Sequence, residues 1–231
     1  MMGYFLQFYR KHKQKFVDMA KELFGDKDIL YYLVVSNDFY IATLIYAIAK
    51  MFDVDDDEAL IYSFVGELLD VSLKLKNDAL EDLASKYILL KTINLARIPD
   101  RIIDALKYYL EGEELLIKGK PLESIDKKSE FYSYIVLLGQ IPANNSLNED
   151  ILMNLGKEFG YIYITIQYLR DNKIDEQTAI ALLKDHINKY EQTIKKLGLS
   201  SYRNTLSDLP KDFIKAFVSK YKKFKNLELL I

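Results

Sequence analysis

The chain has 231 residues, half of them hydrophobic, and 32 Lys and Arg against 34 Asp and Glu leave a formal net charge of −2. This composition is globular, and a near-neutral balance with only five arginines argues against a nucleic-acid-binding protein, which needs a net basic face. The absence of Cys excludes disulfides and thiolate metal sites, and nine Gly with four Pro are too few turn residues for a sheet-rich fold of this length.

Helical periodicity runs through almost the whole chain. Apolar residues recur at spacings of three and four, which predicts amphipathic helices. Gly25 is expected to end the first helix and Asn37 to cap the second, and the carboxylates of residues 55–57 suit the positive N-terminal end of the third. The predicted helices cover about residues 4–24, 38–51, 55–80, 83–96, 99–117, 127–140, 148–171, 175–197 and 211–225.

One segment is ambiguous by local propensity. Residues 159–169, FGYIYITIQYL, are β-branched and aromatic, as in a strand. A lone strand between two helical segments has no partner, so we predict a helix that is apolar nearly all round and central in a bundle. Since no repeat, linker or low-complexity tract interrupts the pattern, we expect a single all-α domain, residues 1–231, of the multi-helix bundle type.

The sequence also leads to expectations about the cellular compartment and the source organism. The first residues place basic side chains after apolar ones, the reverse of a secretory signal, and the longest uncharged run contains Pro142 and asparagines. We therefore expect a cytoplasmic protein. The abundance of Lys, Ile and Tyr without Cys favours a thermophilic source.

The two histidines do not indicate a catalytic or metal site. His12 and His186 each lie in a charged helical stretch with no second histidine nearby, and each is expected to be a solvated surface residue. A glycine-rich phosphate loop is also absent from the sequence. The remaining candidates are Asp78, Glu81 and Asp82, which are predicted to end the third helix. Their spacing places two of them on one face, where they could jointly ligate a hard cation. The alternative is that they are ordinary solvated side chains.

A resemblance starts at these carboxylates. Residues 67–82, ELLDVSLKLKNDALED, resemble the first aspartate-rich helix of the trans-polyprenyl diphosphate synthases. Residues 154–171, NLGKEFGYIYITIQYLRD, resemble the second one. Aligned without gaps, the first motif falls on Asn77, Asp78 and Glu81, and the second on Gln167, Tyr168 and Asp171.

Three segments between these motifs extend the resemblance. ASKYILLKTINLA is similar to the family's helix with a Gly-Asp signature, and EGEELL, residues 111–116, to the helix carrying Gly-Glu or Gly-Gln. Lys127-Lys128-Ser129 stands where the family has Lys-Thr-Gly or Lys-Thr-Ala. Five motifs in the family's order imply the type I isoprenoid synthase (polyprenyl synthase) bundle.

The resemblance also implies a site. In the family, two facing carboxylate motifs hold Mg²⁺ ions that bind an allylic diphosphate, and hard oxygen ligands suit this metal. Mg²⁺ is thus the implied cofactor if the residual site is functional, and an isoprenoid diphosphate is the implied ligand. The implied metal positions are Asn77, Asp78, Glu81 and Asp171, and the implied substrate-binding positions are Lys127, Lys128, Gln167 and Tyr168; no residue is assigned a catalytic role.

Departures from the family pattern set the functional prediction. Tyr168 cannot replace a carboxylate on Mg²⁺, and the family's Gly-Lys-Arg and Arg-Arg-Gly stretches, which grip diphosphates, have no counterpart here. In a regular helix Arg170 points away from the face of Asp171 and is a poor substitute. We therefore predict a non-catalytic or regulatory partner subunit in isoprenoid chain elongation, a homodimer or a heterodimer with an active polyprenyl synthase.

Two other functions stay open. The first is an active Mg²⁺-dependent prenyltransferase, or another isoprenoid diphosphate enzyme, with an altered site. The second is a helical module that binds an apolar chain among the 18 Tyr and 12 Phe. The basic, amphipathic end KDFIKAFVSKYKKFKNLELLI adds peripheral membrane contact as an expectation, against a solvated terminal helix.

Overall fold

The computed structural model describes residues 3–75, 78–143, 149–198 and 200–230. All regular structure among these residues is helical, which confirms the predicted all-α class. The α-helices are α1 Tyr4–Phe24, α2 Ile29–Val35, α3 Tyr40–Met51, α4 Asp56–Lys74, α5 Ala79–Leu95, α6 Asp100–Asp104, α7 Leu106–Ile117, α8 Pro121–Ile135, α9 Glu149–Arg170, α10 Glu176–Lys196 and α11 Arg203–Lys220. Two 3₁₀ helices span Val136–Gly139 and Lys222–Leu230.

Several helix ends follow the predicted chemistry. Gly25 takes a positive φ of 83° and its N–H donates to the Lys21 carbonyl at 2.8 Å, so α1 ends there. The Asp55 carboxylate accepts from the Asp57 N–H at 2.9 Å, and Asp175 accepts from the Thr178 N–H at 2.8 Å. These side chains satisfy amide groups that have no partner inside α4 and α10.

Other boundaries differ from the prediction. Asn37 does not cap α3: its side-chain amide donates to the Leu33 carbonyl at 2.9 Å, at the end of α2, a helix that the sequence prediction left out. α3 instead starts after Phe39, which has a φ of 50° and makes no side-chain cap. The predicted helix 55–80 is also divided, because α4 ends at Lys74 and Asp78 caps the new helix α5.

The described residues form two compact units. One contains those of Gln7–Pro99 and Leu138–Asn145 and is called the N-terminal unit here. The other contains those of Met1–Leu6, Asp100–Leu137 and Ser146–Ile231 and is called the C-terminal unit. The single domain over 1–231 stays a prediction.

In the N-terminal unit, α3 packs against α4, and α4 packs against α5. Every residue of α3 from Ile41 to Ala49 is buried. A Cβ on Gly66 of α4 would lie 2.1 Å from the Ile45 Cδ1, so glycine permits the close approach of α3 and α4. In the described ranges no single helix is long and apolar enough to cross a membrane, although α2 and α3, bent by 67°, together reach that length and composition.

In the C-terminal unit, α9 lies between α8 and α10. The ambiguous segment 159–169 is helical and most of its side chains are buried, which confirms the predicted central helix. The apolar face of the C-terminal segment is also buried, at Phe213, Phe217, Phe224 and Leu227. Because that face packs inside the unit, the exposed side chains of this segment are mostly lysines and other polar residues, with Leu229 the large apolar exception, and membrane contact stays a prediction.

Candidate functional site

The first implied metal motif lies at the start of α5 rather than at the end of a helix. Asp78 has extended backbone angles, and its carboxylate accepts from the Glu81 N–H at 2.8 Å. Glu81 lies in the first turn, and Asp82 forms an ion pair with Lys86 at 2.6 Å. Asp78 is therefore engaged in capping α5, and Asn77 lies outside the described residues.

The second motif places a buried phenol where the resemblance implies a carboxylate. The Tyr168 side chain is 4% exposed, and its hydroxyl lies 2.5 Å from the Ser124 Oγ. Ser124 donates its own proton to the Gly112 carbonyl at 2.5 Å, so Tyr168 is the donor to Ser124. Burial raises the pKa of Tyr168, and the phenol is therefore protonated and neutral at pH 7.

Asp171, the remaining carboxylate of that motif, is paired with its neighbour. Arg170 donates to it through Nε at 2.7 Å and Nη2 at 3.1 Å. The expectation that Arg170 points away was wrong, because α9 ends at Arg170 and Asp171 no longer follows helical geometry. Gln167, the first position of that motif, is half-buried on α9.

The two lysines of the motif each bind a glutamate of α7. Lys127 pairs with Glu111 at 3.0 Å, and this hydrogen bond raises the pKa of Lys127. Lys128 is 3% exposed and its Nζ bonds to the Glu113 carboxylate. The same Nζ lies 4.6 Å from the ring centre of Tyr109 and 5.0 Å from that of Tyr168, so the ammonium group is enclosed by two aromatic faces and one carboxylate.

These donors do not fit a Mg²⁺ cluster. Asp78 caps a helix, Asp171 is neutralised by Arg170, and Tyr168 is an uncharged phenol. Among the described residues, no group of three or more His, Asp or Glu side chains could hold a metal ion. The C-terminal unit instead contains a polar cluster whose members bond to one another: Gly112, Glu113, Ser124, Lys128 and Tyr168.

A buried acidic pair in the N-terminal unit was not predicted from the sequence. Glu67 is 2% exposed and accepts from the Ala42 N–H at 3.0 Å, which satisfies the start of α3 in place of a side-chain cap. Burial and the nearby Asp70 raise the pKa of Glu67 to about 7. Asp70 is itself buried and bonds to Lys74. The sequence does indicate this burial, because both acids interrupt the apolar run FVGELLDVSL.

Both histidines were wrongly expected at the surface. His12 is 8% exposed and makes tilted ring contacts with Phe8 and Tyr46, with ring centroids 4.5 and 4.8 Å away. His186 is 6% exposed, lies parallel to the Tyr161 ring at 3.7 Å, and has its Nδ1 2.6 Å from a Glu158 oxygen. Each histidine lies on the apolar stripe of its helix, which indicates burial. For His12, this stripe consists of Phe5, Tyr9, His12, Phe16 and Ala20.

Comparisons with known proteins identify the fold. No protein-family model and no curated protein matches the sequence. The structure is similar to that of a geranylgeranyl pyrophosphate synthetase from the archaeon Geoglobus acetivorans, with a TM-score of 0.70, 11% identity, and coverage of 87% of this chain and 97% of the other. It is also similar to a mint deletion mutant of a heterotetrameric geranyl pyrophosphate synthase in complex with ligands, with a TM-score of 0.61, 13% identity, and coverage of 91% and 99%. The chain therefore has the trans-polyprenyl synthase fold that the sequence resemblance implied.

Proposed function

We propose that this chain is a non-catalytic subunit that associates with an active trans-polyprenyl diphosphate synthase and influences its chain elongation. The observation that carries the proposal is the contact of Lys128 with Tyr168 and Glu113. Lys128 and Tyr168, two of the implied substrate-binding positions, contact each other and bond to Glu113 and Ser124, so neither is available to a ligand without breaking a buried polar cluster.

Ligand binding at this cluster would carry an energetic cost. Separating Lys128 from Glu113 leaves a buried ammonium without its counter-charge, which typically costs about 3–5 kcal/mol. A diphosphate could offset this cost only through several charge-assisted contacts, each worth roughly 1.5–3 kcal/mol. The family's Arg-rich stretches, which would supply these contacts, have no counterpart in the sequence.

The subunit role draws on one of the similar structures. That protein is a heterotetrameric geranyl pyrophosphate synthase, an assembly of unlike chains. A chain with the same fold and an internally satisfied polar cluster suits the place of a subunit that does not turn over substrate.

The test uses the active trans-polyprenyl synthase from the same cell, purified with and without this chain. We expect a stable complex on size exclusion and a changed distribution of product chain lengths. The chain alone, given Mg²⁺, an allylic diphosphate and isopentenyl diphosphate, should release no inorganic diphosphate. Mg²⁺-dependent turnover by the chain alone would establish the enzyme alternative, and the absence of both complex and product change would refute the subunit role.

A further inference from the structure

A cleft opens between the end of α10 and the start of α11 in the C-terminal unit. Its volume is about 760 Å³, within the range of roughly 300–1,000 Å³ that is usual for small-molecule sites. The buried Tyr190 of α10 donates its hydroxyl to the Leu206 carbonyl of α11 at 3.0 Å, and Lys211 of α11 pairs with Glu191 of α10 at 3.1 Å. Because these contacts join the two helices that form its walls, the cleft is part of the folded structure.

Two cations line this cleft without a counter-charge. Lys195 lies in the last turn of α10, and Arg203 is the first residue of α11. Neither has a carboxylate within ion-pairing distance among the described residues, whereas Glu191, the acidic residue in the lining, is already paired with Lys211. Arg203 is also the one arginine of the five that is not exposed. A partly buried guanidinium without an acid is a positive charge that an anion from solution can neutralise.

Neutral hydrogen-bond donors lie beside the two cations. Ser201, Asn204 and Ser207 line the cleft with hydroxyl or amide groups that have no hydrogen-bond partner among the described residues. Together with the ammonium and guanidinium groups, they give the cleft many more free donors than acceptors. An arginine fork and a lysine are the side chains that bind phosphate oxygens in proteins. Because two positive charges remain unpaired, a phosphate monoester, with a charge of about −1.5 to −2 at pH 7, matches the cleft.

The rest of the lining narrows the class of ligand. Ile194 is the apolar residue in it, and none of the described residues that line the cleft is aromatic. An isoprenoid chain would therefore find little apolar surface there, and a nucleobase would find no ring on which to stack. Serine and asparagine side chains instead suit the hydroxyl groups of a sugar.

We propose that the cleft between α10 and α11 binds a sugar phosphate. Arg203 and Lys195 bind the phosphate group, and the neutral donors bind the sugar hydroxyls. The site is separate from the polar cluster on α7, α8 and α9, and its ligand differs in chemistry from an isoprenoid diphosphate. The inference therefore goes beyond the proposed function and does not depend on catalytic inactivity.

The first experiment titrates the full ¹⁵N-labelled chain with ribose 5-phosphate and follows the backbone amides by NMR. We expect shifts around residues 200–207 and a dissociation constant on the order of 0.5 mM. Inorganic phosphate should bind at the same residues at least fivefold more weakly, and ribose should not bind, because each supplies only part of the contacts. The absence of shifts at about 10 mM ribose 5-phosphate, or inorganic phosphate that binds as tightly, would overturn the proposal.

The second experiment uses two neighbouring lysines of α10 as a matched pair. Lys195→Gln and Lys196→Gln remove the same charge from the same helical turn, but only Lys195 lines the cleft. Lys195→Gln should weaken the binding of ribose 5-phosphate at least threefold, and Lys196→Gln should leave it unchanged. Equal effects of the two would mean that the phosphate follows the general positive charge of this helix end, and the proposal would be wrong.

Arg203 provides the strongest variant. Arg203→Gln should weaken the binding of ribose 5-phosphate more than tenfold, and Arg203→Lys, which keeps the charge but loses the planar fork, should have an intermediate effect. Circular dichroism checks that each variant is folded, which we expect because Arg203 has no ion pair among the described residues to lose. Unchanged binding by a folded Arg203→Gln variant would overturn the assignment.

The outcomes separate this inference from the proposed function. Arg203→Gln should leave the complex with the active synthase and the change in its products intact. If ribose 5-phosphate does not bind while that complex forms, the assignment of the cleft is wrong and the subunit role stands. If it binds but the chain alone turns over an allylic diphosphate, the reverse holds.

Discussion

Lys128 Nζ lies 5.0 Å from the centre of the Tyr168 ring, and the two residues come from different helices, α8 and α9. The resemblance places both among the implied substrate-binding positions, Tyr168 at an aspartate position of the second motif. Their contact with each other, together with Glu113 and Ser124, makes the polar cluster of the C-terminal unit part of the folded core. The cluster can therefore be tested through stability.

Removing the counter-charge of Lys128 should be strongly destabilising. Glu113→Gln leaves a nearly fully buried ammonium without its carboxylate, and we expect a loss of about 3–5 kcal/mol in the free energy of unfolding. Urea unfolding followed by circular dichroism measures this loss. Glu114→Gln is the matched control, because its pair with Lys118 is exposed, and it should cause no measurable change. Equal effects would mean that the Lys128–Glu113 pair is not a buried one.

Tyr168→Phe should have a smaller effect. The ring keeps its packing against Lys128, while Ser124 loses the donor to its Oγ but still donates to the Gly112 carbonyl. One lost hydrogen bond predicts a decrease of about 1 kcal/mol in the free energy of unfolding. The exposed Tyr32→Phe serves as control, and a Tyr168→Phe variant as stable as the wild type would contradict the observed hydrogen bond.

Glu67 should make stability fall as the pH rises. Its pKa is raised from 4.5, the ordinary value for a glutamate side chain, to about 7 in the folded chain, so between these values the folded state holds a proton that the unfolded state has released. The stabilisation is complete below about pH 4.5 and is lost through pH 7, at no more than about 1.4 kcal/mol per pH unit. Glu67→Gln keeps an acceptor for the Ala42 N–H and should remove this slope. A difference between wild type and variant that is independent of pH, measured by urea unfolding from pH 4 to pH 8, would contradict the assignment.

His12 should act in the opposite direction. Burial lowers its pKa to about 4, so between pH 4 and 6.5 the unfolded chain binds a proton that the folded chain does not, and stability falls as the pH is lowered through this window. Its buried Nδ1 has no hydrogen-bond partner among the described residues, so His12→Phe should stabilise the chain by about 1 kcal/mol at pH 7 and more at pH 5.

His186→Phe is the matched control for His12→Phe. It removes the bond to Glu158 at 2.6 Å and should destabilise the chain. Thermal unfolding of both variants at pH 5 and pH 7 provides the comparison. If both variants stabilised the chain, or both destabilised it, the two histidines would not have the different environments described above.

Helical periodicity predicted most helices because their apolar residues recur at spacings of three and four. It missed the boundary between α4 and α5. There the Asp78 carboxylate accepts a hydrogen bond from a backbone N–H and so starts a new helix. It failed again at Asn37, because Phe39 adopts a left-handed conformation that no composition rule predicts for a bulky side chain.

The polar cluster was only half predictable. Lys128 and Tyr168 were identified through the resemblance, but their partners Glu113 and Ser124 depend on the packing of α7 and α9 against α8. The burial of His12 could have been predicted, because it lies on the stripe that also carries Phe5, Tyr9 and Phe16. For this residue, position on the helix is a better guide to burial than residue type.

The most direct measurement of the central claim is equilibrium binding of an allylic diphosphate. Isothermal titration of the chain with a non-hydrolysable farnesyl thiodiphosphate, with and without Mg²⁺, reports whether the polar cluster can open to a ligand. We predict no binding up to about 1 mM, whether or not Mg²⁺ is present. Micromolar binding that requires Mg²⁺ and is lost in Asp171→Ala would contradict this prediction.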